Sequence, residues 1–146
     1  MAAKRELVKV EDVGRECVML RVRMTARAIT KHYEDALRPS GLKGPQFTLL
    51  VSLSADPGLS ASELSEQLGI DRTTLVRNLE LLEKNGLVET AIDGRAHRKT
   101  LTRKGEAALE RALPLWRKAQ DAVVGKLGEP AWTDTRRKLR ALREAV

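Results

Sequence analysis

The segment from Ala91 to Gly105, AIDGRAHRKTLTRKG, holds Arg95, His97, Arg98, Lys99, Arg103 and Lys104 against a single acid, Asp93. Upstream of it, DRTTLVRN presents Arg72, Thr73, Thr74 and Arg77. Guanidinium and ammonium groups at this density suit a polyanion, because they neutralise phosphates. Arginine can also make two bonds to a guanine edge, and threonine can bond a base or touch a thymine methyl. The chemistry offered is recognition of a charged, base-bearing polymer.

Other chemistries are poorly provided for. Cys17 is the one cysteine, so neither an intrachain disulfide nor a cysteine-based zinc site can be built. Its spacing on an apolar helical face reads as a small, inert hydrophobe. His32 and His97 are the only histidines, and neither lies after residue 101, so no zinc-sensing site is expected. No histidine is paired with serine or cysteine, no carboxylate pair stands in a suggestive setting, and no glycine loop could cradle a phosphate. An enzyme is not expected, nor is a cofactor. The four aromatics, Tyr33, Phe47, Trp116 and Trp132, are too few for the stacking platforms that hold single-stranded nucleic acid. Double-stranded DNA is the partner that remains.

The elements that must position these residues can be read from periodicity. Apolar residues at Val10, Val13, Cys17, Leu20, Met24 and Ala28 recur at spacings of three and four, which predicts one amphipathic helix through Leu37, ended by Pro39 and Gly41. A second helix begins at Pro45 and stops at Asp56-Pro57-Gly58. Ser60 with Glu63 forms a capping box for a third, broken at Gly69. Asp71 caps a fourth, with Leu75, Leu79 and Leu82 on its inner face and Gly86 at its end. Leu87 to Ala91 and Arg98 to Leu101 read as short strands joined by IDGRAH, with Gly94 at the turn. Thr102 caps a long helix in which Pro114 should introduce a kink. A last helix follows Gly128-Glu129-Pro130 and carries Trp132, Leu139, Leu142 and Val146. The class is mainly α with a small β-hairpin.

Charge follows the same division. The chain of 146 residues carries a net +7. Residues 39–70 sum to −2, with Lys43 against Asp56, Glu63 and Glu66, whereas residues 93–105 sum to +4. Two helices followed by a basic hairpin describe a winged helix-turn-helix whose second helix enters a DNA major groove. Arg72, Thr73, Thr74 and Arg77 are its candidate contacts, and the wing supplies Arg95, Arg98 and Lys99. The start of the chain, MAAKRELVKVEDVG, has no apolar core of signal-peptide length, and the longest uncharged run, Gly44 to Ala55, cannot span a bilayer. A cytoplasmic protein with no membrane partner is expected.

DRTTLVRNLELLEKNGLV followed by DGRAHRKTLTRKG resembles the winged-helix core of MarR-type bacterial transcription regulators, through Asp93-Gly94-Arg95 and the downstream Leu101-Thr102 and Gly105. The likeness extends through LRPSGLKGPQFTLL and PLWRKAQ. It implies a single domain over 1–146, with dimerisation helices at 10–38 and 106–146 around a DNA-binding core at 42–105. It further implies a homodimer on a pseudo-palindromic operator, Arg95 in the minor groove, and Asp93 buttressing the wing or its arginine contacts. Small aromatic or lipophilic acids release many such repressors. The apolar stripes of the terminal helices, too long for a small core to cover, independently call for a second subunit. One branch of the family senses peroxides with an amino-terminal cysteine, but the aligned position here is Met19, and Arg23 and Gly44 replace the tyrosines around it. An architectural DNA binder with little sequence preference, and a winged-helix protein-interaction module, are the competing readings. Arg72 and Arg77 weigh against the second of these.

Overall fold

The computed structural model describes residues 8–146, so the first half of MAAKRELVKVEDVG lies outside the described residues. The described residues fall into two compact units, one ending at His32 and the other spanning Tyr33–Val146. No residue among 8–36 is buried.

In the first unit the helix expected from Val10 to Leu37 is interrupted. Helix α1 spans Val10–Glu16 and α2 spans Val18–Leu37, separated by Cys17, whose ψ of 114° is extended. The break removes the intrahelical partners of the Gly14 and Arg15 carbonyls. The Arg21 guanidinium takes their place, donating to Arg15 O at 2.9 Å and to Gly14 O at 3.3 Å. Periodicity cannot reveal such a break, because the apolar spacing continues across it.

The second unit is built around α3 (Gly44–Ala55), entered through Pro45 after a 3-10 turn (Arg38–Ser40) that Gly41 closes at φ 77°. Leu49, Leu50 and Leu53 of α3 meet Leu64 of α4 (Ala61–Leu68) and Leu75, Leu79 and Leu82 of α5 (Arg72–Lys84) in one core. Each of these leucines is at most 2% exposed, and burying one is worth about 2 kcal/mol. The caps predicted for α4 and α5 are present: Ser60 Oγ accepts the Glu63 N–H at 3.2 Å, and Asp71 Oδ1 accepts the Thr74 N–H at 2.9 Å.

Strands β1 (Val88–Asp93) and β2 (Ala96–Leu101) pair antiparallel, from Val88 opposite Leu101 to Asp93 opposite Ala96. They are longer than the sequence suggests, and the six-residue loop IDGRAH shrinks to Gly94 and Arg95. Gly94 alone has a positive φ, 61°, at the first central position of the turn. A two-residue connection of that kind matches the twist of the strands and lets pairing continue to the tip. Helix α6 (Arg103–Leu127) runs through Pro114, and α7 (Glu129–Glu144) buries no residue.

The Leu-Thr-x-x-Gly signature acquires a physical reason at the start of α6. Thr102 Oγ1 accepts the Gly105 N–H at 3.0 Å and donates to Gly86 O at 2.5 Å. The Thr102 N–H donates to Leu87 O at 3.1 Å. This brings the helix onto the backbone leading into β1 so closely that a Cβ on Gly105 would lie 2.0 Å from Leu87 O. Gly105→Ala should therefore destabilise the protein by about 3 kcal/mol, since the backbone must move to admit one methyl. Denaturant titration measures this. A midpoint equal to that of the wild type would show that the approach can relax without cost.

Candidate nucleic-acid interface

The helix-turn-helix is formed by α4 and α5 with Gly69, Ile70 and Asp71 between them. Gly69 takes φ 63° as the C-cap of α4, and Ser65 Oγ donates to Ile70 O at 2.6 Å. With Leu75, Leu79 and Leu82 buried, the helical period turns Arg72, Thr73, Thr74 and Arg77 outward, and all four are exposed. Arg72 is also tethered, because its guanidinium hydrogen-bonds the Ser62 hydroxyl of α4. Arg77 has no ionic or hydrogen-bonding partner among the described residues.

The wing is anchored before it is charged. The loop ahead of α4 pairs with β2: Gly58 N–H donates to Lys99 O at 2.9 Å, and Lys99 N–H donates to Leu59 O at 3.0 Å. At the tip Arg95 is exposed, as is Arg103 at the foot of α6, and neither has an ionic or side-chain hydrogen-bonding partner among the described residues. Arg98 is intermediate in character. Its Nε lies 3.5 Å from Asp93 Oδ2 and its Nη1 donates to Gly58 O at 3.3 Å, yet half of its side chain is open to solvent. Asp93 thus holds Arg98, its cross-strand neighbour but one, and not Arg95.

Lys99 requires a correction. The sequence reading places it among the DNA contacts, but its side chain is only 14% exposed. The ammonium donates to Glu83 Oε1 of α5 at 2.6 Å and to Thr90 Oγ1 of β1 at 2.7 Å. Thr90 also hydrogen-bonds Glu83. This lysine faces inward and fastens the wing to the recognition helix. Lys104 is likewise engaged, donating to Asn85 O at 2.8 Å at the carboxyl end of α5, where a cation is favoured. Glu83 and Thr90 have no sequence signal as partners of Lys99. Only strand register and the packing of α5 bring them together.

Comparison with known proteins agrees with this architecture. A model of the MarR family matches residues 40–99. The HTH-type transcriptional repressor Rv2887 of Mycobacterium tuberculosis is 34% identical over 110 residues, which cover 73% of this chain and 79% of the repressor. The M. tuberculosis transcriptional regulator MosR, solved in complex with DNA, is 42% identical, with a TM-score of 0.79 over 89% of this chain and 96% of its own. The chain belongs to the MarR family. It is a DNA-binding transcription regulator and not an enzyme. A third MarR-type structure, the repressor CouR bound to p-coumaroyl-CoA, is 26% identical with a TM-score of 0.84 over 94% of this chain and 98% of that one. Rv2887 has also been solved in complex with salicylic acid. No helix among the described residues is long and apolar enough to cross a membrane.

The Glu83–Lys99 pair carries a pH signature. Burial opposes ionisation of Glu83, but the hydrogen bonds from Lys99 and Thr90 and the charge of Lys99 outweigh it, so the carboxyl titrates below its usual range. Its stabilisation is fully present above the unfolded value of about 4.3 and is lost as the pH falls through the lower folded value. The stability difference between wild type and Glu83→Gln should therefore be constant from neutrality to about pH 5 and shrink below about pH 4. Urea titrations at several pH values measure it. No difference at neutral pH would mean that the wing does not depend on this pair.

Proposed function

We propose that this regulator acts as a cytoplasmic homodimer on a pseudo-palindromic operator, and that a small aromatic or lipophilic acid releases it. The observation that carries the DNA reading is the contrast between Lys99 and its neighbours. The wing spends one cation on its own rigidity while leaving Arg95 and Arg103 without partners among the described residues and Arg98 half-exposed. A merely solvated loop has no need of such bracing. In this reading Arg72, Thr73, Thr74 and Arg77 face the major groove. Arg95 enters the minor groove, where narrow sequences concentrate negative potential, while Arg98 and Arg103 meet phosphates. MosR in complex with DNA supports the mode of action. Rv2887 with salicylic acid and CouR with p-coumaroyl-CoA support the class of effector.

Exposed apolar residues support the dimer. In the first unit Val10, Val13 and Met24 are each more than half exposed, and on α7 Leu139 and Leu142 are exposed as well. Contiguous apolar helix faces of this kind are covered by a partner. The competing reading, an architectural DNA binder, predicts equal affinity for operator and random duplex.

Two measurements test the proposal. Arg95→Ala should weaken binding to operator and random duplex alike, while Arg77→Ala should mainly erode the preference for operator, by about tenfold or more. If each subunit neutralises about three phosphates through Arg95, Arg98 and Arg103, the log–log salt slope of the wild-type dimer should be near −5 and become shallower in Arg95→Ala. Binding of Arg95→Ala at wild-type strength to both duplexes would remove the wing from the interface. The melting temperature should also rise with protein concentration, as a dimer requires. A concentration-independent value argues for a monomer.

A further inference from the structure

The outward face of α5 contains a shallow depression of about 470 Å³ lined by Arg72, Thr73, Val76, Arg77 and Glu80. At 100° per residue, Thr73, Val76, Arg77 and Glu80 share one face of the helix, opposite Leu75, Leu79 and Leu82. Two of the polar side chains at or beside this face are engaged elsewhere. Arg72 is drawn toward α4 by the Ser62 hydroxyl. Asn78, the residue type that reads adenine, is half-buried and donates its amide to Thr74 O at 2.9 Å. The methyl groups of Thr73 and Val76 are left at the centre, with Val76 half-buried between longer neighbours and the Arg77 cation beside them. On the major-groove edge of a base pair, the one group suited to an apolar contact is the C5-methyl of thymine.

We propose that Thr73 and Val76 form a methyl-reading window that selects thymine at one position of each half-site, next to the guanine read by Arg77. The inference rests on the regulator reading above and extends it to the choice of base. From Thr73 to Val76 the helix rises about 4.5 Å, close enough for two short side chains lining one depression to flank a single methyl group.

Deoxyuridine removes the thymine methyl and nothing else. In the operator duplex that the full-length protein selects from genomic DNA, thymines are replaced one at a time by deoxyuridine and affinity is measured at fixed salt. Wild type should lose about fourfold at one thymine in each half-site, the worth of one buried methyl. The combined Val76→Ala and Thr73→Ser variant should bind the two duplexes equally, with circular dichroism confirming its fold. Thr73→Ser alone, an exposed change that keeps the hydroxyl, should roughly halve the penalty. Equal wild-type affinity at every substituted position, or a full uracil penalty in the combined variant, overturns the window. A wild-type protein with no preference for operator over random duplex defeats the regulator reading itself, and the window with it.

Discussion

Lys99 is the residue on which the DNA-binding unit turns. Its backbone pairs with Gly58 and Leu59 in the loop that leads to α4, and its ammonium reaches Glu83 at the end of α5 and Thr90 on β1. One residue thereby fastens three elements, the loop before α4, the end of α5 and the hairpin. The geometry is demanding. An isolated two-stranded hairpin is marginal in water, and a wing that must place Arg95 against DNA cannot be left to fluctuate. A charged pair with little exposure is an expensive means of fastening, since both ions lose water. It is suited to this position because the third partner, Thr90, satisfies part of the hydrogen-bonding capacity of the pair, and because the pairing specifies one orientation of the hairpin.

The second constraint lies at the foot of the wing. Thr102 receives the Gly105 N–H and holds Gly86 and Leu87, so the end of α5, the entry to β1 and the start of α6 converge within a few ångströms. Glycine is required there by close approach and not by backbone conformation, since a Cβ would overlap the Leu87 carbonyl. Lys104 closes the same corner by capping α5 through Asn85. Of the basic residues in the segment that first suggested DNA binding, Lys99 and Lys104 hold the structure together and Arg98 does so in part, while Arg95 and Arg103 have no partner among the described residues.

This division connects packing with function. Cations that reach phosphates must stay solvated and mobile enough to adapt, whereas cations that fix the wing must be withdrawn from water and paired. The same separation operates on α5, where the leucine face anchors the helix and Asp71 caps it. The outward face is left with Arg77, Glu80 and the methyl-bearing Thr73 and Val76. At the amino terminus the division is reversed. The α1–α2 region leaves its apolar side chains exposed, so its stability is expected to come from a second chain.

Much of this was legible in the amino-acid sequence. The caps at Ser60, Asp71 and Thr102, the breaks at Gly41 and Gly69, the buried leucines of α5 and the basic hairpin all follow from local rules: which residue accepts an N–H, which tolerates a positive φ, which side of a helix is apolar. The family could be recognised for the same reason, because Asp93-Gly94-Arg95 and Leu-Thr-x-x-Gly are local signatures. What only the tertiary structure decided depends on residues far apart in the chain. Whether Lys99 points to solvent or to Glu83 is set by strand register and by the approach of α5. The break at Cys17 is hidden from periodicity because its compensation comes from the Arg21 side chain and not from spacing. The tight turn at Gly94 and Arg95 arises because pairing propagates along the strands until sterics stop it. Sequence pattern reports what each residue prefers, but the partner that satisfies a half-buried charge is chosen only when the chain is folded.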